Sequence, residues 1–298
     1  MEAARILAKI AVELARAVKQ REERGGAGAI EPRVLASGDG WSVADVVCTC
    51  GPRDRPFEER HTRYAIAIVL AGSFEYRSPF GRAVMTPGSL MLGNHDQPYE
   101  CRHEHGDGDR CVGFRFDPEW LDGGSFRTGR LPAISALSPL IARAATGALG
   151  ANIDWETLAI ELAGAALDLA SKESIDWTGG TRGVARAIRA IDRDPDASLT
   201  IEALARQAGL SPFHFLRTFQ LQTGVTPHQY ILRARLREAA VLLRSESKVL
   251  DVAYDCGFGD VSNFNRTFRR EFGMSPREWR RSYSAFSSAR AAVPEAVH

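Results

Sequence analysis

Long apolar runs are missing from this sequence of 298 residues. The longest, Tyr64 to Gly72, falls far short of the ~20 residues a membrane span needs, so no membrane role is expected. The N-terminus has neither an unbroken apolar stretch nor a small-residue cleavage site. Arg5 and Lys9 sit inside a helical pattern instead, which argues against a secretory leader. Glu2 and Glu13 speak against a transit peptide. Cysteine is scarce and odd in number: Cys48, Cys50, Cys101, Cys111 and Cys256. Five thiols in so long a chain make no disulfide framework and fit a reduced, cytoplasmic setting. No Gly-rich loop leads from a strand into a helix, which disfavours a nucleotide-binding fold. What remains is ordinary: 44% apolar and 25% charged residues, enough to bury the cores of about two domains.

Net charge is also nearly absent, at +1, but it is unevenly spread. Between Gly180 and Ser287 there are 17 Lys/Arg against 11 Asp/Glu, which leaves about +6 there and about −5 elsewhere. A basic end on an acidic body points to a polyanionic partner for that end.

The pattern changes twice along the chain. Residues 2–24 place Ile6, Ile10 and Leu14 four apart, with Leu7, Ala11 and Val18 beside them, and GGAG follows at 25–28. This spacing predicts an amphipathic helix, either a cap on the next domain or a dimerisation or targeting element. From Val34 to about Phe116, short runs rich in Val, Ile, Tyr and Phe alternate with Gly, Pro and Asp clusters. WSVADVVCTC, YAIAIVLAG, SFEYR, GRAVMTPGSLMLG, PYECRHEH and RCVGFRF read as strands of a β sandwich or barrel. After Pro118 the chain turns helical. WETLAIELAGAALDLASK is apolar on much of its surface and predicts a helix packed on both sides, in the core or against a second subunit. WTGGTRG at 177–183 reads as a linker and 286–298 as a disordered tail.

The basic third contains an internal repeat. In LTIEALARQAGLSPFHFLRTFQ, Ile201, Leu204 and Ala205 form a helix face and Gly209 ends it. Ser211 then caps a second helix with Pro212 at its first position. Phe215 and Phe219 point inward, leaving Phe213, His214 and Arg217 outside and Leu216 at the edge. In VLDVAYDCGFGDVSNFNRTFRREFG, Gly257 follows Ala253 by four residues, as Gly209 follows Ala205. Phe264 and Phe268 take the inner positions, leaving Val261, Ser262, Asn265 and Arg266 on another face with Arg269 and Arg270 a turn later. Each stretch predicts a helix-turn-helix. The helix between them, from Thr226 to about Arg244, would span roughly 27 Å, suited to successive major grooves ~34 Å apart. Arg and Asn are the side chains that read guanine and adenine edges, while further Arg and Lys hold phosphates.

ALARQAGLSPFHFLRTFQLQTGVTPHQYI and VAYDCGFGDVSNFNRTFRREFGMSPREWR resemble both halves of the DNA-binding domain of the AraC/XylS family of bacterial transcription regulators. The likeness includes the G-x-S/T-P stretch after each second helix. It implies a sequence-specific regulator, not an enzyme, that binds double-stranded promoter DNA and contacts RNA polymerase. The base-reading candidates it implies are Phe213, His214, Leu216, Arg217, Val261, Ser262, Asn265, Arg266 and Arg269. Leu216 and Val261 depart from many relatives in being apolar; they touch thymine methyl groups or read nothing. TPGSLMLGNHDQPYE resembles the cupin-like N-terminal sensor domain common in that family. The implied fold is α+β: an N-terminal helix (1–28), a cupin-like barrel or sandwich (29–120), a helical dimerisation segment (121–177), an all-α domain with two helix-turn-helix units (178–285) and a tail (286–298). A homodimer controlled by a small-molecule effector inside the β domain follows from the same likeness.

The rival is a metal-dependent cupin enzyme with a helical DNA-binding appendage. Its His-x-His…Glu…His set is missing, with only His61 and His95 in the corresponding stretches. Another constellation stands at CRHEHGDGDRC. Cys101, His103 and His105 alternate on an expected strand, a Gly-Asp turn follows, and Cys111 returns on the next strand, giving four zinc- or copper-type donors on one hairpin. Three same-face residues on a flat strand span about 13 Å, too far for one tetrahedral ion without a bulge. The stretch reads as a metal or thiol sensor, or as small buried thiols beside a solvated hairpin.

Overall fold

The computed structural model describes residues 6–55, 57–121, 123–172, 182–195, 199–243 and 248–281. Most of the expected linker at 177–183 and all of the expected tail at 286–298 lie outside them.

A helix, α1 (Ile6–Arg24), leads into ten strands. These are β1 (Ile30–Gly38), β2 (Trp41–Cys48), β3 (Phe57–Arg60), β4 (Tyr64–Gly72), β5 (Phe74–Ser78), β6 (Gly81–Met85), β7 (Leu90–Gly93), β8 (Pro98–Arg102), β9 (Asp109–Phe116) and β10 (Arg130–Leu131). They form a six-stranded sheet in the order β1-β2-β9-β4-β7-β10 and a four-stranded sheet in the order β3-β8-β5-β6, antiparallel throughout. The result is an open sandwich and not a closed barrel.

The near-continuous burial of β4 explains the layering. Ala67 and Val69 face the small core between the sheets, with Phe74, Tyr76, Met85, Cys101 and Cys111. Ile66, Ile68 and Leu70 point the other way, into the main core with Ile10, Leu14 and Val18 of α1. The same core takes Ile141 and Ala145 of α2 (Ser138–Ala148) and Leu158, Leu162 and Ala166 of α3 (Trp155–Lys172). A strand buried on both faces has no polar side to alternate with, hence the unbroken apolar run. α3 buries one face only; Ile160 is exposed on the other.

Three strands escaped the sequence pattern, the shortest being β10 in the stretch expected to be helical. β1 is exposed along most of its length and β3 reads FEER, so neither alternates. The expected hairpin at Cys101–Cys111 is not one. β8 pairs with β3 and β5, whereas β9 pairs with β2 and β4, so the chain crosses from one sheet to the other between them. β8 ends at Arg102, which leaves His103 and His105 in the crossover.

The rest is helical: α4 (Arg182–Arg193), α5 (Ile201–Ala208), α6 (Pro212–Thr223), α7 (Pro227–Leu242), α8 (Val249–Asp255) and α9 (Val261–Phe272), with another helix starting at 276. Local signals set these boundaries. Thr200, Ser211 and Asp260 cap α5, α6 and α9 by accepting from the backbone N–H three residues on, and Thr226 and Gln229 form a capping box on α7. Gly209, at φ 71°, ends α5 in the left-handed region that side chains with a Cβ avoid. α7 stops at Leu242, so its 16 residues span about 24 Å. Tyr230 of α7 joins the core of the first unit with Phe215 and Phe219; Leu236, Ala239 and Ala240 join that of the second with Phe264, Phe268 and Phe272.

Candidate functional site

α6 and α9 are built alike. Phe215 and Phe219 pack at a tilt with centroids 5.4 Å apart, and Phe264 and Phe268 likewise with centroids 5.5 Å apart. Both pairs are fully buried, which fixes the rotation of each helix and turns the opposite face outward. On α6 that face carries Phe213, His214, Leu216 and Arg217, all exposed; Phe213 is 78% exposed, extreme for a ring and evidence that it has no packing role in the isolated chain. On α9 Ser262, Asn265, Arg266 and Arg269 are exposed. Val261 differs: it is half-buried and packs on the second unit's core, which weighs against a base contact there. Arg266 donates from Nη2 to Asn263 Oδ1 at 3.2 Å, which orients the guanidinium along the helix.

Both outward helices are tied to the rest of the chain. The Arg130 guanidinium, fully buried, donates to the carbonyls of Gln222 and Thr223 at the end of α6, at 2.6 and 3.0 Å. Arg233 Nε and Ser138 Oγ both donate to Glu271 Oε1 on α9, at 3.2 and 2.5 Å. Arg233 Nη1 also donates to the Ala133 carbonyl. These ties join residues about 40 to 130 positions apart, and no local pattern announces them.

A family model described as a helix-turn-helix domain matches residues 204–282. Over 86 residues the chain is 48% identical to the HTH-type transcriptional activator RhaS of Escherichia coli O139:H28 (strain E24377A / ETEC), a match that covers 28% of this chain and 31% of that one. Residues 204–282 of this chain are a helix-turn-helix domain that resembles the AraC/XylS type. This AraC-type domain also resembles a probable AraC family transcriptional regulator from Rhodopseudomonas palustris CGA009. The two are 29% identical, the match covers 34% of this chain and 96% of that one, and the TM-score is 0.32. The DNA-binding domain of AdpA, crystallised with a target DNA, is 28% identical, covering 39% of this chain and 100% of that one at a TM-score of 0.33. The chain thus spans about a third of the length of the curated relative it matches.

The N-terminal half was expected to hold an effector between its sheets. That space is filled by Phe74, Tyr76, Met85 and the two thiols of Cys101 and Cys111. A cavity of about 590 Å³ lies instead outside the sandwich, between α1, the end of β4, and helices α4 and α7 of the AraC-type domain. Leu14, Val18 and Leu70 give it an apolar wall; Arg189, Asp192 and Arg237 reach it from the domain side. Burial pushes the Asp192 carboxyl up to about 7, against the lowering effects of Arg237 and of a hydrogen bond from the Tyr230 hydroxyl at 3.1 Å.

The expected cupin ligands do not converge. His61 is buried, 3.0 Å from the Tyr76 hydroxyl and stacked on Tyr99, and burial lowers its pKa to about 4; His95 is exposed. Nor do the four hairpin donors form one site. Cys101 and Cys111 face the inter-sheet core, while His105 bonds Ser73 Oγ at 2.9 Å. The reason is the crossover: the two donor pairs belong to different sheets and a loop. His103 alone joins a donor cluster, with Cys48 and Asp109, which sequence order places 55 residues and six residues away. The Cys48-x-Cys50 spacing was a signal for the missing partner. The opposing reading holds for the buried thiols of Cys101 and Cys111 and for exposed Glu104, but not for His103, which is buried.

Proposed function

We propose that this protein is a sequence-specific transcription regulator that reads double-stranded promoter DNA with α6 and α9. The observation that carries the reading is the pair of capped, ring-locked helices, each presenting an exposed polar face, within one AraC-type domain. Arg217 and Arg266 contact guanine edges, Asn265 contacts adenine, and Arg269 holds phosphate. Phe213, His214, Leu216 and Ser262 complete the two reading faces, with Leu216 against a thymine methyl. Val261, packed into the domain, supports α9 rather than reading a base.

A small effector occupies the cavity between α1, β4, α4 and α7, its apolar body along Leu14 and Val18 and its polar end toward Asp192 and Arg237. Because both domains line that cavity, a ligand that prefers one arrangement of them shifts the population able to bind DNA. A homodimer formed through the helices after the sandwich, contact with RNA polymerase and a cytoplasmic location belong to the same reading. Two facts support a regulator over a cupin enzyme: the His61 ring is engaged by Tyr76 and Tyr99, and His95 stands apart.

The test is a binding titration of the full chain against its own promoter fragments and against random DNA over a range of salt. Affinity for the promoter is expected to fall steeply with salt. Arg217→Ala and Arg266→Ala are each expected to cost about 1–3 kcal/mol of discrimination with little change in folding stability. Equal affinity for promoter and random DNA at every salt concentration overturns the reading.

A further inference from the structure

The crossover from β8 to β9 brings His103 and Asp109 to the end of β2. The His103 Nε2 atom lies 2.5 Å from Asp109 Oδ2 and 3.7 Å from Cys48 Sγ. All three donor atoms fall within 4.8 Å of one another, and all three residues are buried. The buried Cys50 thiol neighbours that of Cys48 but lies outside this 4.8 Å cluster. Zinc bonded at about 2.3 Å to sulfur and 2.0 Å to nitrogen in a tetrahedron holds those donors about 3.5 Å apart. The Cys48–His103 separation already matches. The His103–Asp109 contact is a hydrogen bond, which widens by about 1 Å when an ion takes the place of its proton.

Charge points the same way. Asp109 is a buried carboxylate, and among the described residues its ion-pair partner is His103, with no Lys or Arg beside it. The Cys111 thiol donates to the other oxygen of Asp109, Oδ1, at 3.4 Å. A hydrophobic core has no use for a carboxylate aimed at several thiols; a divalent cation converts the same cluster from repulsive to attractive. The loop is also held in place around the donors. Gly108, at φ 66°, approaches so closely that a Cβ there would stand 2.4 Å from the Cys48 carbonyl oxygen.

We propose that Cys48, His103 and Asp109, with Cys50 as fourth donor, form a buried site for a zinc-class divalent ion whose occupancy is passed to the AraC-type domain through Asp107. Asp107 sits in the same loop, two residues before the ligand Asp109, and pairs with Arg189 Nε of α4 at 3.2 Å. The ion displaces the thiol protons and the proton shared by His103 and Asp109, all released to solvent. The loop then closes on the ion and carries Asp107 with it. The coupling rests on the DNA-binding reading above; the metal site does not.

The experiment loads the purified full-length chain with Zn²⁺ or Co²⁺, removes excess ion, and measures metal content, the Co²⁺ absorption spectrum and circular dichroism. One ion per chain and a thiolate-to-cobalt charge-transfer band are expected. Asp109→Asn, which keeps the side-chain volume, and Cys48→Ser should each weaken binding by at least about tenfold, whereas Cys256→Ala, in the AraC-type domain, should bind as the parent does. No retained ion in a folded parent chain, or an unchanged band in Cys48→Ser, overturns the site. DNA titration with and without Zn²⁺ then tests the coupling. A shift in affinity that disappears in Arg189→Ala supports it. Retained metal with identical DNA affinity in both states overturns the coupling and leaves the site standing. Retained metal with no specific DNA binding in either state overturns the DNA-binding reading instead.

Discussion

The two halves of this chain bury different things. The sandwich buries charge, imidazole and thiol: Asp45 with Arg110, His61 with Tyr76, His103 with Asp109 and Cys48. The AraC-type domain buries mainly rings, with Phe264, Phe268, Phe272 and Trp279 packed at a tilt in sequence and Phe215, Phe219 and Tyr230 in the other unit, although Arg237 and Glu238 of α7 are buried there too. Directional bonds fail when one atom is removed, because the partner is left buried and unsatisfied. Ring clusters fail when volume is removed, and tolerate a change of shape better. The sandwich is therefore chemically brittle and the AraC-type domain sterically brittle.

The largest effects should come from attacking each half in its own terms. Arg110 gives Asp45 two hydrogen bonds, both at 2.8 Å, with both side chains buried. Asp45→Ala should cost about 3–5 kcal/mol in urea unfolding, since it leaves the buried guanidinium with Glu13 alone, which accepts from Nη1 at 2.7 Å. Asp45→Asn, which keeps an acceptor, should cost clearly less. Equal losses would mean that packing, not charge, holds the sandwich. Phe268→Ala should cost a comparable ~3–5 kcal/mol, but Phe268→Leu far less. If Leu were as damaging as Ala, ring geometry rather than volume would govern the AraC-type domain.

A second contrast is in pH. His61 has a folded pKa of about 4 against an ordinary 6.5, so its share of stability is present above 6.5 and is lost as pH falls toward 4. Asp192 has a folded pKa of about 7 against an ordinary 3.8. The folded state keeps a proton that the unfolded chain sheds, so its share is present at the acid end and is lost as pH rises to about 7. Asp192→Asn should abolish the loss on raising pH, and His61→Gln the loss on lowering it. Unfolding curves across this window in which either variant parallels the parent would remove that residue from the account. The smallest effect is local. Ser211→Ala removes the acceptor at the start of α6 and should cost about 1 kcal/mol.

This difference also explains what was legible in the sequence. The cap at Ser211, the turn at Gly209 and the ring pairs four apart are local signals, so the helix-turn-helix units could be read residue by residue. β4 and β9 were legible for the same reason, as apolar runs bounded by turns. Strand partners were not. β8 and β9, adjacent in sequence, belong to different sheets, and that one fact dissolved the expected hairpin and its four-donor site. The Cys48–His103 contact joins residues 55 apart, and the cavity joins α1 to α7 across most of the chain. Val261 looked outward by helical spacing, yet the second core draws it in.

Arg130 and Ser138 stand eight positions apart, yet they grip different reading helices. The first holds the tail of α6 and the second reaches Glu271 on α9. A rotation of this short stretch that preserves both grips must drag the two helices together and alter their phase relative to one another. On a duplex whose grooves repeat every ~34 Å, phase decides which pair of half-sites can be engaged at once. In the proposed DNA reading the stretch acts as a crank, and the spacing of the operator is the gauge on which its angle can be read.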